Sequence, residues 1–184
     1  MKMNLGLLES HAPDDALVLG LNNWSVPSTA VAFYSAPQTE AEFLAQMKEL
    51  HVFPEGTTLV PIRSDGGAVP ELGQAFTLMH SEDREVEVLV AARALREARH
   101  IALRSSLTMP EAGMLALIEA TPLLEVLDVR DNKLGDTFFR RMLESPSLLA
   151  HLRGFRCHRA QTTEEIVGAI MSQRRNTFWQ IAMA

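Results

Sequence analysis

The sequence predicts an α/β fold in which strand–helix units recur along the chain, with the strands aligned in one parallel sheet and the helices outside it. Two observations carry this. The first is spacing: the second inward apolar residue of each expected strand is Phe33, Ile62, Leu103, Val129, Cys157 and Ile181, separated by 29, 41, 26, 28 and 24 residues. The second is phase: Thr39 follows Phe33 by six residues, while Thr108 and Thr162 follow Leu103 and Cys157 by five. Each threonine is followed three residues on by a glutamate, Glu42, Glu111 or Glu165. In such a pair the hydroxyl and the carboxylate each satisfy a free backbone N–H at a helix start. A strand–helix unit has one apolar side it cannot bury alone, and stacking on a neighbour buries it.

In chain order, residues 1–28 are expected to be an N-terminal arm or cap, and residues 29–184 the β–α repeat domain, best preserved over 98–173. Residues 29–34 are rich in strand formers. Behind Thr39, the spacing of Phe43, Leu44, Met47 and Leu50 predicts a helix. Residues 58–63 form the next strand, closed by Ser64-Asp65-Gly66-Gly67. Pro70 suits a first helical turn, and Leu72, Ala75, Phe76 and Met79 would give that helix an apolar face. Residues 82–98 fit an amphipathic helix, although Val86, Val88 and Val90 also alternate as in a strand. Then come a strand at 100–104, a helix burying Met114, Leu117 and Ile118, and a short strand within the stretch 124–134, which feeds the next helix. Asp136 would cap a helix burying Phe138, Phe139, Met142 and Leu143, which Pro146 ends. A strand at 154–158, a helix burying Ile166, Val167 and Ile170, and a last strand at 178–183 complete the chain.

Composition narrows the class of function. The chain has 184 residues, 47% of them hydrophobic, which is the size of one domain with a substantial core. A formal net charge of -6 argues against nucleic-acid binding by the whole surface, since phosphate neutralisation needs clustered Lys and Arg. The single cysteine, Cys157, excludes an intramolecular disulfide and a Cys-rich zinc site. His51, His80, His100 and His151 show no metal-ligand spacing, and no cofactor is expected. The first apolar run is too short for a signal peptide, and no stretch approaches the roughly 20 apolar residues of a membrane span. The expectation is a soluble protein of the cytoplasm or another intracellular compartment.

Leu124, Leu127, Val129, Asn132 and Leu134 stand in the spacing LxxLxLxxNxL. With the periodicity around it, this stretch resembles leucine-rich-repeat proteins of the ribonuclease-inhibitor type. The resemblance implies a short solenoid with a parallel sheet and outer helices, and a job in binding another protein. Its asparagine position is Ser106 in the preceding unit and Ala160 in the following one, so the backbone-bonding asparagine ladder is mostly missing. Strand–helix alternation also predicts a compact α/β sandwich, STAS-like or flavodoxin-like.

Side chains alternate across a strand, so with Leu127 and Val129 inward, Val126, Asp128 and Arg130 point to the other face. The residue after each marker reads Tyr34, Arg63, Arg104, Arg130 and His158. Strands lie about 4.8 Å apart, so such a row of cations needs a counter-charge, supplied by Asp128 and Asp131 or by an acidic partner. The expected partner-binding set is therefore Tyr34, Arg63, Arg104, Asp128, Arg130 and His158, against an acidic or mixed protein surface. The terminal segments would be caps or oligomer contacts. Ser64–Gly67 could cradle a phosphate on backbone N–H groups, which is the alternative of a small ligand-binding domain. Cys157 beside His158 and Ser105 are the only hints of a hydrolase, and Cys157 occupies a core position. Trp24, Phe178 and Trp179 read as core or cap residues. No catalytic constellation is visible, so the chain is expected not to be an enzyme.

Overall fold

Strands form where the expected apolar runs lie, and one forms where a helix was expected. The computed structural model describes residues 7–9, 30–35, 41, 42, 45, 58–63, 74–79, 87, 90, 93–104, 109–130 and 132–184, with 7–9, 30–35, 58–63, 77–79 and 104 described by backbone alone. The elements are β1 (Leu7–Glu9), β2 (Ala30–Ser35), β3 (Thr58–Arg63), β4 (Ala75–Met79), β5 (His100–Arg104), α1 (Glu111–Glu119), β6 (Val126–Asp128), β7 (Leu134–Gly135), α2 (Asp136–Glu144), β8 (Gly154–Gln161), α3 (Glu164–Gln173) and β9 (Phe178–Met183). The fold is α/β. One sheet runs in the order β1-β9-β8-β6-β5-β4-β2-β3, with the short β7 also on β8. Every pairing is parallel except β1 with β9.

The stack from β4 onward has a repeated backbone joint. The carbonyl of Gln74, one residue before β4, accepts from the N–H groups of Arg99 and His100, at 2.8 and 2.9 Å. The carbonyl of Arg99 accepts in the same way from Glu125 and Val126, and that of Glu125 from Arg153 and Gly154. Arg153 then accepts from Phe178 at 2.7 Å. Ahead of each joint a turn closes by an N–H of residue i+3 on the carbonyl of residue i: Ala98 on Leu95, Leu124 on Thr121, Leu152 on Leu149, and Thr177 on Arg174. Backbone groups that would otherwise be buried unpaired at each strand entrance are thus satisfied by the neighbouring unit.

The helices share one face of the sheet. Met114, Leu117 and Ile118 of α1, Phe138, Phe139 and Met142 of α2, and Ile166, Val167 and Ile170 of α3 lie in one core cluster with Ile101, Leu103, Leu127, Val129, Phe155, Cys157, Trp179 and Ile181 of the strands. From β4 to β9 the parallel strands advance in one direction, and crossovers of one hand then put their helices on one side. Phe155 stacks on Phe138 at 6.2 Å between centroids and tilts against Trp179 at 5.4 Å, joining α2, β8 and β9.

Several sequence expectations are corrected. Residues 75–79 are a strand and not a helical face, and Leu78 pairs with Leu103, 25 residues on. The anomalous step of 41 therefore hid a strand, and between it and β5 Glu87 and Val90 are helical. Alternating Ala-Phe-Thr-Leu-Met satisfied a helical template because the run is short enough to fit both periods. The cap signals also shift. α1 starts behind Pro110 with no side-chain cap, and the Glu111 carboxylate instead accepts from the N–H of Phe138 at 3.0 Å, in the first turn of α2. Asp136 is the first residue of α2, not its cap, and accepts from the Thr162 hydroxyl at 2.5 Å. The cap of α3 is Thr163, which accepts from the N–H of Ile166. Glu111 thus serves the next unit and not the start of its own helix, and Asp136 binds both Thr162 of the next unit and Arg140 of its own helix. The expected box at Thr39 and the loop at 64–67 lie outside the described residues.

Candidate interaction face

The face opposite the helices is where the sequence places its polar row. Leu127 and Val129 do enter the core, so Val126, Asp128 and Arg130 face away from it. Their surroundings differ from the expectation. Asp128 is 0% exposed and Arg130 9% exposed, so neither offers an open charge. The two form a fork: Arg130 Nε donates to both carboxylate oxygens at 2.9 and 3.0 Å, and Nη2 donates to Oδ2 at 2.7 Å. The backbone N–H of Arg130 adds a longer contact of 3.3 Å to Oδ1. As the charge argument required, Asp128 is the counter-ion of Arg130. Desolvating two ions is expensive, and the bidentate geometry is what offsets it.

Register identifies the true neighbours. Ala102 pairs with Asp128, Asp128 with Arg156, and Arg156 with Gln180. Arg156 is fully buried and Gln180 nearly so. Neither was among the expected site residues. The signal was present two positions earlier than the one used: the residue before each marker reads Ala102, Asp128, Arg156 and Gln180. On the next β strand, Glu9 of β1 is the register partner of Gln180.

The remaining expected residues separate. In β2 and β3, Tyr34 pairs with Ile62, and Arg63 with Ser35, so Tyr34 and Arg63 belong to different rows. Arg104 pairs with Met79, which pairs with Phe33. The marker in β2 was thus one residue out, and a one-residue slip moves a side chain to the other face. Arg63 sits on β3, separated from β5 by β2 and β4, which places it roughly 14 Å from β5, the strand of Arg104, at ordinary strand spacing. Arg104, Arg130 and His158 remain on or just beyond the adjacent strands β5, β6 and β8, and His158 is half-buried. Asp131 lies outside the described residues.

Asn132, the asparagine of the repeat motif, is buried and donates its amide to the carbonyl of Leu103 at 3.4 Å, in the preceding unit. Ala160 is buried and pairs with Leu134 where β7 meets β8. Cys157 is buried in the core, and burial pushes its thiol up to about 12. A thiol that remains protonated and covered is no nucleophile at neutral pH. Burial also lowers the His100 pKa, against the opposing pull of Glu125 and with the help of Arg99. Among the described residues no three His, Cys, Asp or Glu side chains gather to hold a metal, and no helix is long and apolar enough to cross a membrane. Trp179 is fully buried in the core, and Phe178 is buried on the opposite alternation. No protein-family model, curated protein or solved structure matches the chain.

Proposed function

We propose that the chain is a non-enzymatic interaction module, a short leucine-rich-repeat-like solenoid that binds an acidic or mixed protein surface with the sheet face opposite its helices. The observation supporting this reading is the carbonyl joint repeated at Gln74, Arg99, Glu125 and Arg153, which stacks successive units in the manner of repeat scaffolds. The amide of Asn132, reaching the preceding unit, agrees with it. Arg130 and Asp128 serve this face by holding it rigid, because their charges are already paired. The contacts to a partner fall to Arg104, the last residue of β5, and to the half-buried His158, within β8.

The test is affinity capture with identification of a stoichiometric partner, followed by binding measurements on Arg104→Glu and His158→Glu. Both substitutions should weaken binding, and added salt should weaken it further. Unchanged affinity in both variants sinks the proposed face. Arg130→Glu is unsuitable, since it would leave the buried Asp128 carboxylate facing another anion.

A second reading is a small α/β ligand-binding domain. It is favoured by the reversal of strand order at β2, which has β3 on one side and β4 on the other. Ligands of open α/β sheets bind beyond the carboxyl ends of strands at such a reversal, here those of β2 and β4, and Ser64–Gly67 follows β3, the other neighbour of β2. Phosphate protection of backbone amides at 64–67 would favour it over the module.

A further inference from the structure

A cleft of about 380 Å³ opens away from the interaction face, between the turn at 93–97 and the carboxyl end of α1. It is lined by Val90, Arg93, Leu95, Arg96, Glu119, Ala120 and Pro122. Its volume falls within the roughly 300–1,000 Å³ of small-molecule sites. Two features set its chemistry. The first is charge. Among the described residues of the lining Glu119 supplies the only carboxylate, and it accepts from Nη2 and Nε of Arg141 at 3.1 and 3.3 Å. Arg93 and Arg96 are exposed and make no ion pair among the described residues, so the cleft is locally cationic on a chain of net charge -6. The second is backbone. Arg93 has φ 57°, in the left-handed region that disfavours any residue with a Cβ, where glycine would sit without strain. Leu149, buried in the core, has a φ of 56° as well, so this backbone marks a turn, and what Arg93 brings to the cleft is its exposed charge.

We infer that this cleft is a binding site for a small organic oxyanion, a phosphate or carboxylate held by the two guanidinium groups, with an apolar body against Val90, Ala120 and Pro122. Guanidinium groups bind both oxyanions through paired N–H donors. The site is independent of the partner reading, since it is on the helix side of the sheet.

The experiment titrates the full chain with phenyl phosphate, benzoate and inorganic phosphate, by calorimetry at low salt. Phenyl phosphate or benzoate should bind saturably and more tightly than inorganic phosphate, because only they carry the apolar body. Arg93→Gly should weaken that binding about tenfold, the loss of one charged hydrogen-bonding group. Its melting temperature should stay level or rise, because glycine relieves the strain at that φ. Arg96→Ala should weaken binding similarly, and Arg175→Ala, at an exposed arginine beyond α3, should leave it unchanged. Absence of saturable binding to all three probes overturns the inference. So does binding that survives Arg93→Gly and Arg96→Ala, or that falls equally in Arg175→Ala.

Discussion

Arg174 ends α3, yet its guanidinium serves the unit before it. Nη2 donates to the carbonyls of Met142, Ser145 and Leu148, and Nη1 to that of Leu149. These are carbonyls at the end of α2 and in the turn behind it, which no further helical turn would satisfy. A charged planar fork suits several acceptors at once, and an ammonium does not. Arg174→Ala should therefore destabilise the chain by about 2 kcal/mol or more, the scale of lost charge-assisted hydrogen bonds. That corresponds to a fall of roughly 4–8 °C in melting temperature for a chain of this size. Arg174→Lys should recover less than half. A circular-dichroism melt reads both, and a shift below about 1 °C in the alanine variant would show that water replaces these bonds at no penalty. The sequence offered no hint of this role, because Arg174 is distant from its acceptors in sequence and nothing in its local pattern marks a cap.

At the scale of elements, the start of α2 depends on groups from both neighbours. Glu111 reaches in from α1 to the Phe138 N–H, and Gly135 leaves it room: a Cβ there would stand 2.9 Å from the carboxylate oxygen. Glu111→Ala and Gly135→Ala should each cost about 1 kcal/mol, the usual size of a lost helix cap. The double variant should cost no more than the larger single one, since both break one contact. Full additivity in a double-mutant cycle would separate the two residues. On the other side, the Thr162 hydroxyl and Arg140 hold the Asp136 carboxyl below its ordinary value of 3.8. The folded form then keeps its charge where the unfolded chain binds a proton, so this contribution is present at neutral pH and is lost as pH falls through the folded value. Asp136→Asn should flatten the dependence of stability on pH below about 4, measured by urea unfolding at a series of pH values. An unchanged slope would mean that Asp136 is equally acidic in the unfolded chain. The threonine–glutamate spacings were legible in the sequence, and helices do begin near them. Which acid bonds to which helix was not legible, because Glu111 and Asp136 act on residues 27 and 26 positions away.

For the whole molecule, the parallel alternation of strands and helices was readable from periodicity, and β5, β6, β8 and β9 lie where the markers put them. β4 was missed because five residues fit both templates, and the N-terminal register was missed because nothing local fixes whether Phe33 or Ala32 belongs with Leu103. The polar face was found by alternation, but its burial was not, since whether a charge meets solvent or a partner depends on what covers the sheet. The edge of β9 is occupied by β1 through three antiparallel pairs. At the far edge, β3 carries Pro61, a residue tolerated mainly on edge strands.

The carbonyls of Gln74, Arg99, Glu125 and Arg153 each receive the next strand in the same way, so a deletion of one whole step tests whether the strand–helix segments are separable. Excising residues 125–152 would put the N–H groups of Arg153 and Gly154 against the Arg99 carbonyl, in place of those of Glu125 and Val126. The Asp128–Arg130 pair would leave together, so neither charge would be orphaned. The shortened chain should still melt cooperatively, at a lower temperature, whereas removing the same length out of phase, residues 139–166, should abolish the transition. If the in-phase deletion also fails to fold, the units are parts of one indivisible core. If it folds, one carbonyl joint is enough to seat a strand on a neighbour it does not meet in the full chain.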